Sequence, residues 1–235
     1  MFGKRNLAAL AAEFLGAGIL TVLVLSVQRS TIGVPFFVAA AAGLTVAMLV
    51  FVFANTSGAH FNPAVTISQW TTRRITTVRA ILYVAAQLLG AFVAYYLYTY
   101  FVNNKLQSIG GEFTARIMFA EAAGALVLGF AWAAAVYQRF SIGTTAAVVG
   151  IGYMIAIVAA SAASIGLVNP ALALGVKAWV WGTYVAGPII GAVVGFNLYA
   201  YLFANENIKT TFAGATAALT GKKPVAKKSA SKKKK

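Results

Sequence analysis

An all-α membrane protein is the fold class that this sequence predicts, with six transmembrane helices and two re-entrant half-helices in an inverted repeat. Three observations lead there: a strongly apolar composition, uncharged runs whose lengths match a bilayer, and a short motif that occurs twice in corresponding places. Of the 235 residues, 60% are apolar, 22 are Gly and the mean hydropathy is +0.81, too oily for a soluble domain of this size. The reactive inventory is thin. There is no Cys and no Asp, and the acids are Glu13, Glu112, Glu121 and Glu206 beside one histidine, His60. Disulfides, thiolate metal sites, a Ser-His-Asp triad and a His-rich metal cluster are thereby excluded, and neither enzymatic activity nor a metal or cofactor is expected.

A span needs about 20 mostly apolar residues to cross a hydrocarbon core of roughly 30 Å. Residues 7–28 carry only Glu13 and predict the first helix. They are too many for the apolar region of a cleavable signal, and no small-residue cleavage site stands out before the next span, so the segment is expected to be retained. Residues 30–72 are uncharged but too long for one span, and they contain the polar stretch Asn55-Thr56-Ser57-Gly58-Ala59-His60. One full helix, a re-entrant loop and a half-length helix are expected there. Residues 80–104 are uncharged and 117–138 carry only Glu121, giving one span each. Residues 140–176 repeat the long plan, broken at Ser161-Ala162-Ala163-Ser164-Ile165-Gly166, and 178–205 supply the sixth span.

The two halves echo each other. Ala12-Glu13-Phe14-Leu15-Gly16-Ala17 returns as Ala120-Glu121-Ala122-Ala123-Gly124-Ala125, at an offset of 108, and Asn62-Pro63-Ala64 returns as Asn169-Pro170-Ala171, at an offset of 107. Gln87-Leu88-Leu89-Gly90-Ala91 has a looser echo in Pro188-Ile189-Ile190-Gly191-Ala192, at 101. Three full spans per half is an odd number, so the second half sits upside down relative to the first. The expected division is a first repeat over 1–106, a second over 107–207, and a disordered Lys-rich tail over 208–235.

Nine of the nineteen Lys and Arg, in a chain of net charge +15, lie between Lys209 and Lys235. A segment of Lys, Ser, Ala and Pro cannot bury enough surface to fold. Beside a membrane protein it is expected to lie along anionic lipid, at roughly 1 kcal/mol per Lys near the surface, with a purely solvated tail as the alternative; nucleic acid is not an expected partner. With both termini cytoplasmic, that side holds Lys4, Arg5, Arg73, Arg74, Arg79, Arg139 and the tail lysines, against Arg29, Lys105, Arg116 and Lys177 opposite. This satisfies the positive-inside rule for a multi-pass protein of the cell membrane.

Each Asn-Pro-Ala stands where a polar loop becomes an apolar segment. Asn caps a first turn, and Pro at the first helical position loses no hydrogen bond. Two half-helices entering from opposite faces bring their positive ends together near the midplane, each equivalent to about half an elementary charge. Irregular backbone at that depth is tolerated only where it is buried or lines a water-filled cavity. Asn62 and Asn169, with loop carbonyls, would then form a polar track that repels cations and interrupts proton conduction.

The segment Ser57-Gly58-Ala59-His60-Phe61-Asn62-Pro63-Ala64-Val65-Thr66 resembles the first signature of the aquaporin (major intrinsic protein) family, and Ala12-Glu13-Phe14-Leu15-Gly16, Ala86-Gln87-Leu88-Leu89-Gly90 and Gly187-Pro188-Ile189-Ile190-Gly191-Ala192 are similar to its other recurring motifs. The likeness covers about 7–203. It implies a pore in each subunit, a homotetramer, and a scaffold role for Glu13 and Glu121, which would hydrogen-bond the re-entrant loops. A proton-coupled role for the two glutamates is the alternative, since ionisable groups inside a membrane are costly. His60 resembles the family's loop histidine beside the pore, as structural support or in a gating or pH role.

The chain departs from the family after the second motif, where Leu172 stands in place of a nearly universal Arg. Counting from the motifs, the remaining constriction positions implied by the resemblance are Ala42, Ile157 and Gly166. This set has no aromatic ring, charge or side-chain donor, so it is expected to be more apolar and wider than the constriction of water- or glycerol-selective members. Lys177 resembles the glycerol type and Ala173 the water type. The expected function is passive passage of water and small neutral solutes such as glycerol. A secondary transporter with broken helices is the alternative, as is a dewetted or gas-permeable channel with little water flux.

Overall fold

The computed structural model describes residues 3–30 and 34–204; the Lys-rich tail, for which disorder and lipid contact are expected, lies outside the described residues. The elements run α1 (Lys4–Gln28), α2 (Pro35–Phe53), α3 (Pro63–Thr71), α4 (Thr77–Val102), α5 (Ala115–Tyr137), α6 (Ile142–Ala160), α7 (Pro170–Gly175), a π-helical turn Trp181–Ala186, and α8 (Gly187–Leu202). Among the described residues six helices, counting the π turn with α8, are long and apolar enough to cross a membrane. Their boundaries follow local chemistry. Thr76, Thr114 and Ser141 each cap a helix by accepting from a backbone N–H in the first turn, Pro35 opens α2, and Asn103 ends α4 in the left-handed region at φ 48°.

The last span differs from the single helix expected over 178–205. Val180 is extended, and the following turn is π-helical before α8 begins. Pro188 is the physical reason: it has no N–H to give to the carbonyl four residues back, so the preceding turn widens instead of continuing as α-helix.

α1 packs chiefly on α4, α5 on α8, and α2 on α6. The first two crossings depend on glycine. A Cβ on Gly90 would stand 2.1 Å from the Phe14 carbonyl oxygen, and one on Gly191 2.0 Å from that of Ala122, so only Gly lets these backbones meet. The half-helices are exchanged between halves: α3 lies against α8, and α7 against α4. The polarity of the bundle is reversed relative to a soluble protein. Leu44, Phe51 and Tyr100 are exposed on its outside, whereas Glu13, Gln87 and Glu121 are fully buried.

Candidate functional site

Both loops that precede α3 and α7 end in strained backbone. Phe61 has φ 50° and Val168 has φ 46°, left-handed values that are especially unfavourable for a β-branched valine. A buried carboxylate holds each one. Phe61 N–H donates to Glu13 Oε2 (2.7 Å), and His60 N–H (3.0 Å) and Ser57 Oγ (2.6 Å) donate to Oε1. In the second half Val168 N–H donates to Glu121 Oε2 (2.6 Å) and Leu167 N–H to Oε1 (2.9 Å), which also accepts from Ser164 Oγ. Turned outward by these bonds, the Phe61 and Val168 carbonyls meet the opposite loop. Asn62 Nδ2 donates to the Val168 oxygen at 2.9 Å, and Asn169 Nδ2 to the Phe61 oxygen at 3.1 Å.

The amide oxygens face the other way, into their own helices. Asn62 Oδ1 accepts from Ala64 N–H at 2.8 Å, and Asn169 Oδ1 accepts from Ala171 N–H at 3.0 Å and more weakly from Leu172 N–H at 3.4 Å. Pro63 and Pro170 occupy the first helical positions. One hydrogen of each amide NH2 is thus committed to the opposite loop; the Asn169 side chain also meets the Tyr153 hydroxyl, whereas Asn62 keeps a second donor. α7 has only six residues against nine in α3, so its dipole contributes less than the paired half-helices of the sequence reading suggest.

His60 is packed from several directions. Its Nδ1 lies 3.1 Å from Thr66 Oγ1, which also accepts from Gln87 Nε2 at 2.9 Å, and Gln87 donates again to Glu13 Oε2 at 2.7 Å. Tyr83 and Trp132 meet the imidazole edge-to-face, at 5.5 and 6.1 Å between centroids. Tyr83 Oη in turn donates to the Ser57 carbonyl at 2.8 Å and accepts from the Arg79 guanidinium.

Ala42, Ile157, Gly166 and Leu172, for which a wide apolar constriction is expected, all lie buried inside the bundle. Ala42, Ile157 and Leu172 are at most 1% exposed and share one continuous apolar cluster. Gly166, at φ 68°, lies directly against Ile157: a Cβ there would stand 2.7 Å from the Ile157 carbonyl oxygen and 3.1 Å from its Cγ2.

Ser57, Ser164, Tyr83, Thr66 and Trp132 have no assigned role in the sequence reading. Ser57 and Ser164 are separated by the same offset as the two Asn-Pro-Ala motifs, which marks them as a repeated pair. Trp132 lies three helical turns after Glu121 and so on the same helix face. Tyr83 has no comparable signal, because nothing in the sequence says that its hydroxyl reaches back to the Ser57 carbonyl in the first loop.

A profile of the major intrinsic protein family matches residues 3–199. Aquaporin TIP1-1 of Arabidopsis thaliana is 35% identical over 190 residues, which cover 74% of each chain. A probable TIP-type aquaporin of Medicago truncatula is 33% identical over 181 residues, 69% of this chain and 70% of that one. Aquaporin-4 of Homo sapiens is 32% identical over 179 residues, 70% of this chain but 55% of that longer protein. The aquaglyceroporin of Plasmodium falciparum superposes with a TM-score of 0.71, over 88% of this chain and 99% of that one, at 21% identity, a likeness of fold alone. With a match across most of its length and relatives at a third identity, this chain belongs to the major intrinsic protein family, whose members are membrane channels and not enzymes.

Proposed function

We propose that the chain is a passive channel that carries water and small uncharged solutes between its two Asn-Pro-Ala loops. The observation that carries this reading is the reciprocal pair of bonds from Asn62 to the Val168 carbonyl and from Asn169 to the Phe61 carbonyl. It brings two loops from opposite halves face to face and leaves the second amide hydrogen of Asn62 for a passing oxygen. Ala42, Ile157, Gly166 and Leu172 form the second, Arg-less constriction. Glu13 and Glu121 are both engaged by loop donors, which favours the scaffold role over the coupling-ion site that a secondary transporter needs.

The burial of Ile157 and Leu172 favours a refinement within the channel class, in which this constriction closes by dewetting and passes little water in its resting state. Stopped-flow light scattering of proteoliposomes under sucrose, glycerol and urea gradients tests both forms. Water flux well above that of empty vesicles supports the conducting form. A near-zero flux that rises in Leu172→Arg, where a guanidinium wets the constriction, supports the dewetted one. No flux in any variant contradicts the channel.

The remaining parts of the proposal are repeats over 1–106 and 107–207, cytoplasmic termini in the cell membrane, a homotetramer, and a Lys-rich tail on anionic lipid. Truncation after Leu219 removes eight of the nine tail lysines. It is expected to weaken binding to anionic vesicles while the water permeability per protein stays as it was.

A further inference from the structure

Glu121, Ala125, Leu128 and Trp132 step along α5 by four, three and four residues, and all four are buried on one face. At 1.5 Å per residue, Trp132 lies about 16 Å along the helix from Glu121. Glu121 therefore serves the second loop, whereas Trp132 reaches His60 in the first. Shifted back by the offset that relates Glu121 to Glu13, Trp132 corresponds to Val24, so the indole has no counterpart in the other half. His60 and Trp132 are 7% and 5% exposed, against 1% for Asn62, Asn169, Ile157 and Leu172. Both keep a small exposed surface beside the motifs, as do Ser57 at 7% and Gln69 at 8%. No described residue accepts a hydrogen bond from the indole N–H, and Nε1 is not one of the fully buried polar atoms without a partner. The donor is left for something that enters.

We propose that Trp132 and His60 form a second filter, on the first-loop side of the Asn62–Asn169 pair, and that Trp132 is its specificity-determining residue. This rests on the channel reading above. The Ala42, Ile157, Gly166 and Leu172 set has no donor and no ring, so it cannot sort polar solutes by hydrogen bonding. Trp132 supplies both. Its ring, set against the imidazole, restricts the passage to a molecule of about water's size, and its N–H offers one bond to that molecule's oxygen. The class admitted is a small neutral hydrogen-bond acceptor; polyols are refused by size.

The test uses the full chain in proteoliposomes with Leu172→Ala as background, so that the apolar constriction does not mask the filter. Trp132→Ala in that background should raise glycerol permeability roughly tenfold, the scale of discrimination that one change of side-chain size gives in a tight site. Water permeability should rise far less. Trp132→Phe keeps a ring and loses the donor, so glycerol should stay excluded while water permeability falls. If Leu172→Ala conducts and neither Trp132 variant alters either permeability, the filter is overturned and the channel reading stands. If folded Leu172→Ala and both double variants conduct nothing, the channel reading fails and the filter fails with it.

Discussion

In the first half the Glu13 carboxylate collects Ser57 Oγ, the His60 and Phe61 N–H groups and Gln87 Nε2; in the second, Glu121 collects Ser164 Oγ and the Leu167 and Val168 N–H groups. The hydroxyl and backbone donors correspond one to one. What differs is the side-chain surround. His60, Thr66 and Gln87 make a connected polar network, whereas Leu167, Ala173 and Pro188 stand at the corresponding positions of the second half and supply no side-chain donor. The repeated features are those that strained backbone demands wherever it is buried. The features found in one half only are free of that demand, and they are the ones that give this layer of the site its polarity.

Removing either carboxylate attacks the shared part and should have the largest effect. Glu121→Ala orphans two backbone donors and a hydroxyl, and Glu13→Ala orphans the equivalent three and Gln87 as well, at about 1–3 kcal/mol for each buried unpaired group. Both variants should melt far below wild type in detergent, Glu13→Ala lowest. Full stability of either would show that its loop is held by packing and not by the carboxylate.

Asn62→Asp and Asn169→Asp come next and should match each other. Each replaces a donor facing a carbonyl with an acceptor, at about 1–3 kcal/mol, and places negative charge where the loops meet. Potassium leak from loaded proteoliposomes should rise in both. A leak in one variant alone would mean that the reciprocal geometry does not carry over to ions.

Gln87→Leu makes the first half resemble the second, since Glu13 keeps the three donors that Glu121 has. The expected loss is about 1 kcal/mol, held down because Gln87 Oε1 is already buried without a partner. A loss as large as that of Glu13→Ala would make the network, and not the backbone donors, the main tie.

The smallest contrast is between two tyrosines. Tyr83 Oη donates to the Ser57 carbonyl at 2.8 Å and is held by Arg79, while Tyr153 Oη reaches the Leu167 carbonyl only at 3.3 Å. Tyr83→Phe should cost about 1 kcal/mol and Tyr153→Phe about half that or less, a difference read from paired melting curves.

Most of the helical plan was legible in the sequence because it depends on local rules. The run lengths mark the six spans, the Asn-Pro pairs mark the starts of α3 and α7, and Glu13 and Glu121 stand out as charges that a bilayer would not tolerate unpaired. The π turn was not legible from hydropathy, since Trp181–Ala186 is as apolar as the helix it enters and only the missing N–H of Pro188 distinguishes it. The packing of the four constriction residues that the resemblance implies was not legible. Four residues picked by their distance from the motifs say that Arg is absent; they do not say that Ile157 and Leu172 are buried in one cluster. The His60 network joins residues as far apart in the chain as Glu13 and Gln87. Pairings at such separations are set by helix packing and leave no local pattern.

The most direct test of a conduit between the two Asn-Pro-Ala loops uses the absence of cysteine from the chain. Leu172→Cys introduces a single thiol, smaller than the leucine it replaces, beside the second motif. Water permeability of proteoliposomes is measured before and after treatment with a small methanethiosulfonate reagent, which joins the thiol through a disulfide, and again after that disulfide is reduced. Conduction that is lost on labelling and returns on reduction is the expected result, with the cysteine-free wild type unaffected by the same treatment. Stoichiometric labelling of the introduced thiol with undiminished water flux would place the water path elsewhere.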